Sequence, residues 1–495
     1  MCFGASYAYL AGQDLNWDWR NYHDYLAYAW LSDRYNTDVV PSGIQTYFNP
    51  YPYIFPYILR HQLSLPIAAM LMGALQGINF WLLWILARQL VGDAATAGYR
   101  LALPIAALLI AVTGPLTLSE IGTSFADLWT APLIIGGLLL IVLASEQRIY
   151  FILLGGLLIG AATGLKLTNA SYAIGSIAAV LMARKPVQSI FLLAVGGMVG
   201  VVATEGRWAW FLWRTFGNPL YPYYNGIFRS PGSPAENLSD TRFLPQSLTE
   251  AIAYPWLWMT GDHRTAEVAF TDTRFALLFS LGLLVLGGFL AHRRQLLNRN
   301  QWQFTVFFVV SYAVWLSVFA IQRYAVVLEI LAAGAIMMCM GQLVRSALAL
   351  IGTVLLAALV GFSSQAANWG RESWDSAYRG IDLPPALLQP ATYLLVNKPT
   401  AFIASSLPKS SHFVQLEDSD FMILPGSAAA QRFEEILANP GSGGLWAVKS
   451  GVGDFPQEKL RKHGLSIDYA RGCLQRRTTP LTEVEFCPLK PTAGP

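Results

Sequence analysis

The chain has 495 residues, 54% hydrophobic and only 13% charged, with a formal net charge of +3. Together with a mean hydropathy of +0.42, that balance excludes a soluble multidomain enzyme and places the chain in a membrane. The small, dispersed positive charge excludes a nucleic-acid groove, and four cysteines (Cys2, Cys339, Cys473 and Cys487) exclude a disulfide-rich scaffold or a clustered cysteine metal site.

Residues 1–12 (MCFGASYAYLAG) are apolar but too short to span a bilayer, so a helix encoded upstream is one reading of this start. Residues 13–60 follow as a loop dense in Trp, Tyr, Asp and Asn. Within it Tyr22, Leu26 and Trp30 recur at four-residue spacing, which predicts a helix between Trp17 and Leu31 lying flat at the interface with its rings at headgroup level. Asp18 stands at the N-terminal end of that helix, where it either caps it or faces a cavity as a functional carboxylate. Asp14, His23 and Asp24 lie beside it.

Apolar runs near 63–87, 101–119, 128–144, 150–164, 169–184, 188–208, 275–292, 302–320, 323–341 and 345–362 are the candidate spans, ten in all, or eleven with an upstream helix. Arg88, Arg100, Arg148, Arg184, Lys185, Arg293, Arg294, Arg299 and Arg345 fall on one face of these spans, which the positive-inside rule makes cytoplasmic. The opposite face receives loop 13–60, loop 120–127, the turn at Lys166, loop 209–274 and everything after about 363.

Beyond the first loop, loop 120–127, the turn at Lys166, the loop after 209 and a further external turn at Gln322-Arg323-Tyr324 carry suspects. Glu120 and Asp127 bracket a Gly-Thr-Ser turn at a membrane edge, where carboxylates need water, a cation or a substrate. The bland reading makes them caps of the helix starting near Leu128, a fate that suits Asp127 better than Glu120. Lys166 in GLKLTN either meets a phosphate or snorkels to the headgroups. The loop after 209 turns at Gly217-Asn218-Pro219 and Tyr221-Pro222. Arg323 in the turn Gln322-Arg323-Tyr324 can clamp a phosphate bidentately, or pair with Glu329 or with another loop's carboxylate.

The tail, 363–495, reads as a separate soluble α/β domain after the membrane domain 1–362. Strands are predicted at 399–406, 411–416, 444–448, 466–476 and 481–488, and helices near 427–438 and 456–463. If the last two strands form a hairpin turning near Thr479-Pro480, Cys473 and Cys487 sit directly opposite each other. They are then either a disulfide or two small buried thiols.

Taken together, Asp18 with Asn21-Tyr22-His23, Glu120 with Asp127, Lys166 in GLKLTN, FGNPLYPYYN at 216–225, Arg323-Tyr324 and the external tail resemble the polytopic GT-C glycosyltransferases. The likeness is greatest to bacterial membrane proteins related to the dolichyl-phosphate-mannose and aminoarabinose transferase groups, and covers roughly residues 13–362. It implies an α-helical polytopic bundle of ten or eleven spans with a C-terminal α/β external domain. The implied activity is inverting transfer of a sugar from a polyprenyl-phosphate carrier to a periplasmic glycan or lipid acceptor, in the bacterial inner membrane. The family's first-loop aspartate, base or metal ligand, falls on Asp18, and its supporting acid on Glu120 or Asp127. Tyr22, His23, Lys166, Arg323 and Asn218 become substrate-binding candidates. Where the family commonly has an adjacent acidic pair this chain has Asp18-Trp19, which favours the base role, with Mg²⁺ or Mn²⁺ on Asp18 and Glu120 as the alternative. Chemistry asks for the same parts: a base for the acceptor hydroxyl and cations for the departing phosphate. A flippase of lipid-linked saccharides, a lipid-linked glycan ligase or polymerase, and a non-catalytic component of a polysaccharide assembly complex are the competing readings.

Overall fold

The computed structural model describes residues 1–492 except 92–96, 262–265, 293–296, 345, 377, 379 and 478. Arg293, Arg294 and Arg345, three of the cations behind the expected sidedness, lie outside the described residues. Two compact units emerge: Met1–Ala8, Met70–Arg207 and Asp240–Asn368 form one, and Tyr9–Ala69, Trp208–Ser239 and Trp369–Pro495 the other.

Among the described residues, six helices are long and apolar enough to cross a membrane: Leu65–Leu90, Ala126–Leu143, Pro186–Phe216, Arg274–Ala291, Arg299–Val318 and Gln322–Leu343. Four shorter apolar helices, Gly98–Ala111, Tyr150–Leu165, Leu167–Leu181 and Ala347–Ser363, take the remaining expected runs. The chain is a multi-pass helical membrane protein with a C-terminal sheet region.

In the first unit, Val326–Leu343 is the central helix, buried at every position through Cys339. It packs against Ala97–Ala111, Ala126–Leu143, Arg274–His292 and Ser346–Ser363, which is why it is apolar all round. Tyr150–Leu165 approaches Pro186–Phe216 so closely that a Cβ on Gly160 would strike the Gly197 backbone. Small residues permit that approach where lipid gives helices no hydrophobic reason to associate.

Two of the expected spans end elsewhere. The run 101–119 breaks: its helix stops at Ala111, and a second, six-residue helix, Pro115–Glu120, starts after Gly114. Pro115 cannot donate to a continuing helix, and its ring forces Gly114 into an extended conformation. The run 188–208 instead continues to Phe216, because Trp208 and Phe211 find aromatic partners in Trp30 and Tyr35.

In the second unit, residues 17–31 are helical as expected, with a π-helical turn over Trp19–His23 leading into Asp24–Leu31. Of the residues at four-residue spacing, Tyr22 and Leu26 are buried in protein and Trp30 is partly buried, while Trp17 at the start of the segment is exposed. Trp19 packs on Phe402 and Tyr378, and Arg60 covers its ring at 4.2 Å.

A two-stranded ribbon joins β1 (Gln13–Asp14) to β2 (Arg371–Glu372). The main sheet comprises β3 (Thr392–Leu395), β4 (His412–Gln415), β5 (Leu445–Ser450), β6 (Leu465–Ile467), β7 (Leu474–Arg476) and β8 (Val484–Pro491). Its order is β4-β3-β5-β8-β6, with β7 also on β8, and β3 is parallel to both β4 and β5. Val39 adds to the edge of β4 through Val39 N–H to Phe413 O and Gln415 N–H to Val39 O, so the first loop closes the sheet.

Segment 399–406 is not a strand. Ala401–Ser406 forms a 3₁₀ turn, with four consecutive buried residues rather than alternating ones, because Phe402 packs on Trp19 and Tyr378. The expected strand 466–476 is two, separated by a turn at Tyr469–Arg471 and by Gly472, whose φ is +72°. The helices at Ala428–Ala438 and Gln457–Arg461 lie where they were expected. The hairpin register also holds: Leu474 pairs with Phe486, Gln475 with Glu485 and Arg476 with Val484. One step further Cys473 and Cys487 form a disulfide with Cα atoms 4.3 Å apart.

Candidate functional site

The first unit gathers four of the sequence candidates at the start of helix Ala126–Leu143. The preceding loop is shaped by its own hydroxyl, Thr123 Oγ1 donating to Glu120 O at 2.7 Å. Gln76 grips it from outside, accepting from Gly122 N at 2.6 Å and donating to Thr123 O at 3.2 Å. Asn79 donates to Leu128 O at 3.3 Å. Neither Gln76 nor Asn79 was singled out from sequence. The signal existed: two amides inside an apolar run are costly in a bilayer unless they hold something.

The capping roles are the reverse of those expected. Glu120, not Asp127, accepts the Leu128 N–H of the first turn, through Oε2 at 3.1 Å. The loop turns back at Gly122, φ +77°, and brings Glu120 over the helix end, while Asp127 already lies within the helix and points elsewhere. Glu120 is completely buried, and its Oε1 has no hydrogen-bond partner among the described residues. Burial, with the Asp127 charge second, pushes the Glu120 carboxyl well above the usual range, against the pull of Arg323 and Lys166.

Asp127 instead joins both cations. Lys166 Nζ lies 2.6 Å from Asp127 Oδ1, and Arg323 Nε lies 3.9 Å from Oδ2. The lysine is therefore not snorkelling: its side chain is 16% exposed, with its ammonium 4.5 Å from the centre of the Tyr324 ring. The Arg323 guanidinium covers the Phe125 ring at 4.5 Å. Tyr172 donates to Tyr324 O and Trp315 to Ile321 O, which fixes the turn that carries Arg323. Arg323 does not pair with Glu329, which is occupied by Arg274 at 3.2 Å. Arg323 meets Asp127 in the first turn of helix Ala126–Leu143, while Glu329 accepts from Leu116 and Thr117 N–H of the short helix Pro115–Glu120.

The second unit holds the remaining candidates. Asp18 does not cap its helix; Asn16 does, accepting from Trp19 N–H at 2.7 Å. Asp18 is half-buried and accepts from the Tyr22 hydroxyl at 3.0 Å. Its neighbours are committed to structure: Asp14 accepts twice from Asn16, and Asp24 bridges His61 at 3.0 Å and Ser405 at 2.7 Å. His23 is buried and stacks on Tyr53 at 4.3 Å. Asn218, fully buried, shapes its loop by accepting from Leu220 N–H and donating to Tyr223 O. Tyr223 in turn stacks on Phe48, whose ring meets the edge of Tyr22.

For Mg²⁺ or Mn²⁺ the relevant atoms in the first unit are Glu120 Oε1 and Asp127 Oδ2, two buried carboxylate oxygens that accept no hydrogen bond among the described residues. They fit the one or two carboxylates such an ion takes when water and phosphate complete its shell. Among the described residues, the one group of three potential ligands with atoms within 4.8 Å is Cys473, Glu485 and Cys487, and its two sulfurs are already joined to each other.

No protein-family model matches the sequence, and no curated protein does. Solved structures match in fold, two of ArnT among them. ArnT from Cupriavidus metallidurans bound to undecaprenyl phosphate aligns over 99% of this chain and 98% of its own, with a TM-score of 0.56 and 13% identity. The same protein in the apo state aligns over 97% and 96%, with a TM-score of 0.55 and 12% identity. At that identity the likeness is one of fold: this chain has the fold of the ArnT structures.

Proposed function

We propose that this chain is an inverting GT-C glycosyltransferase that moves a sugar from a polyprenyl-phosphate carrier to a glycan or lipid acceptor. It would act at the periplasmic face of a bacterial inner membrane, with the C-terminal sheet region on that same face. The observation that carries the reading is the pair of cations, Lys166 and Arg323, drawn onto the single carboxylate of Asp127 in a chain that shares the ArnT fold. The partner of that known structure, undecaprenyl phosphate, is the chemistry such a pair would recognise.

In this reading Lys166 and Arg323 hold the phosphate that leaves. The bond between the anomeric carbon and the phosphate oxygen breaks, its electron pair stays on the phosphate, and the two cations neutralise the charge that develops. Asp18 takes the proton of the acceptor hydroxyl as that oxygen bonds to the anomeric carbon, and Tyr22 orients the carboxylate through its hydroxyl. One displacement with a base and no protein nucleophile inverts the anomeric centre. Glu120 shapes the loop around Asp127 and completes the acidic side of the cation cluster. A divalent ion held by Glu120 and Asp127 would add positive charge beside the phosphate.

The test uses purified protein in detergent with radiolabelled polyprenyl-phosphate sugars and follows label leaving the lipid. Wild type is expected to release label and Asp18→Asn to lose on the order of 10²–10⁴-fold in rate. Normal release by the variant would remove Asp18 from the mechanism. Lipid binding without release by either protein would turn the reading toward transport.

A further inference from the structure

The buried ion pair Arg274–Glu329 lies outside the cluster described above. Both side chains are essentially inaccessible, and Asp272 lies 3.0 Å from Arg274. Glu329 is the one charged residue of the central helix. Its carboxylate accepts from Leu116 N–H at 2.8 Å, Thr117 N–H at 2.9 Å, the Thr117 hydroxyl at 2.6 Å and Arg274 at 3.2 Å. Arg274 also donates to Thr113 O at 2.9 Å. A Cβ at Gly114 would collide with the Glu329 carboxylate, so the chain passes as close as a glycine allows.

Apart from the ion pairs among Asp272, Arg274 and Glu329 themselves, these contacts fall on residues 113–117, the root of the short arm that ends in Glu120. The far end of that arm is held by Gln76 at Gly122 and Thr123. Glu120 thus hangs between two fixed points, three residues beyond Thr117. The same central segment carries Arg323 six residues before Glu329, so one rigid element sets both the cation and the root of the acid-bearing arm. A buried ion pair is a poor source of stability but a good source of register, because each missing hydrogen bond leaves a charge uncompensated.

The geometry points to Glu329, clamped by Arg274 and Thr117, as a positioning residue that sets Glu120 relative to Arg323 during sugar transfer. This rests on the transferase reading. Thr117→Val removes one bond to the carboxylate without touching its charge or its pair with Arg274. It should lower kcat about tenfold by misplacing the arm, with the KM for the polyprenyl-phosphate sugar unchanged. Thr117→Ser, which restores the hydroxyl, should return kcat to wild type.

The deciding measurement is the cycle with Glu120→Gln. If Thr117 acts through Glu120, the double variant Thr117→Val/Glu120→Gln is no slower than Glu120→Gln alone. Wild-type kcat in Thr117→Val, or a double variant that loses the product of the two single losses, overturns the positioning role and leaves the transferase reading standing. Wild-type kcat in Glu120→Gln overturns the role given to Glu120 and this proposal with it. Should Thr117→Val aggregate, Thr117→Ala is carried through the same cycle.

Discussion

Asp127→Asn replaces the carboxylate between Lys166 and Arg323 with an amide of nearly the same volume. At an effective dielectric of about 20, the 2.6 Å contact to Lys166 corresponds to a gross attraction of about 6 kcal/mol and the 3.9 Å contact to Arg323 to about 4. Desolvation of the three groups cancels much of this, and removing one partner of a buried pair costs ~3–5 kcal/mol because the remaining charge is stranded. The Tyr324 ring shares the lysine's charge at 4.5 Å, so the lower figure applies, about 3 kcal/mol. Thermal unfolding in detergent should read this as a fall of about 3 °C, because a chain of 495 residues unfolds with an entropy of roughly 1 kcal/mol/K. Polyprenyl phosphate should then reverse it, since the lipid's anion takes the place the carboxylate has left. At a lipid concentration equal to the wild-type Kd, wild type gains about 0.4 kcal/mol, whereas a variant binding 100-fold tighter gains about 2.7 kcal/mol. An unchanged midpoint, or equal stabilisation of both proteins by the lipid, would refute the idea that Asp127 holds the phosphate-binding cations.

Two further outcomes follow from other parts of the molecule. Because the folded protein raises the Glu120 pKa above 4.5, it binds that proton more tightly than the unfolded chain. Its contribution to stability is fully present below about pH 4.5 and is lost as pH rises through the folded value. Glu120→Gln, neutral throughout, should therefore gain thermal stability relative to wild type as pH increases, and parallel midpoint curves would contradict the shift. The Cys473–Cys487 bridge closes a separation of 14 residues, for which chain entropy suggests about 3 kcal/mol. Both cysteines should resist maleimide until reduced, and the Cys473→Ser/Cys487→Ser variant should melt earlier; labelling of unreduced protein at these positions would disprove the bridge.

Hydropathy and period alone were enough for the membrane class, for all ten apolar runs, and for the hairpin whose register sets Cys473 against Cys487. These are local properties: an apolar run must be buried wherever it goes, and an antiparallel hairpin pairs residues whose numbers share one sum. The side-chain partners were decided only by tertiary structure. Asp127 meets Lys166 across 39 residues and Arg323 across the bundle, while Glu329, six residues from Arg323, turns to Arg274 and Thr117 instead. Asn16 rather than Asp18 caps the first-loop helix, and Glu120 rather than Asp127 receives Leu128 N–H. Segment 399–406 became a 3₁₀ turn because Phe402 found Trp19, nearly 400 positions earlier in the chain. A buried charge or ring is placed by whichever distant group satisfies it at least cost in desolvation. That choice depends on which segments the fold brings together, and no window of sequence contains it.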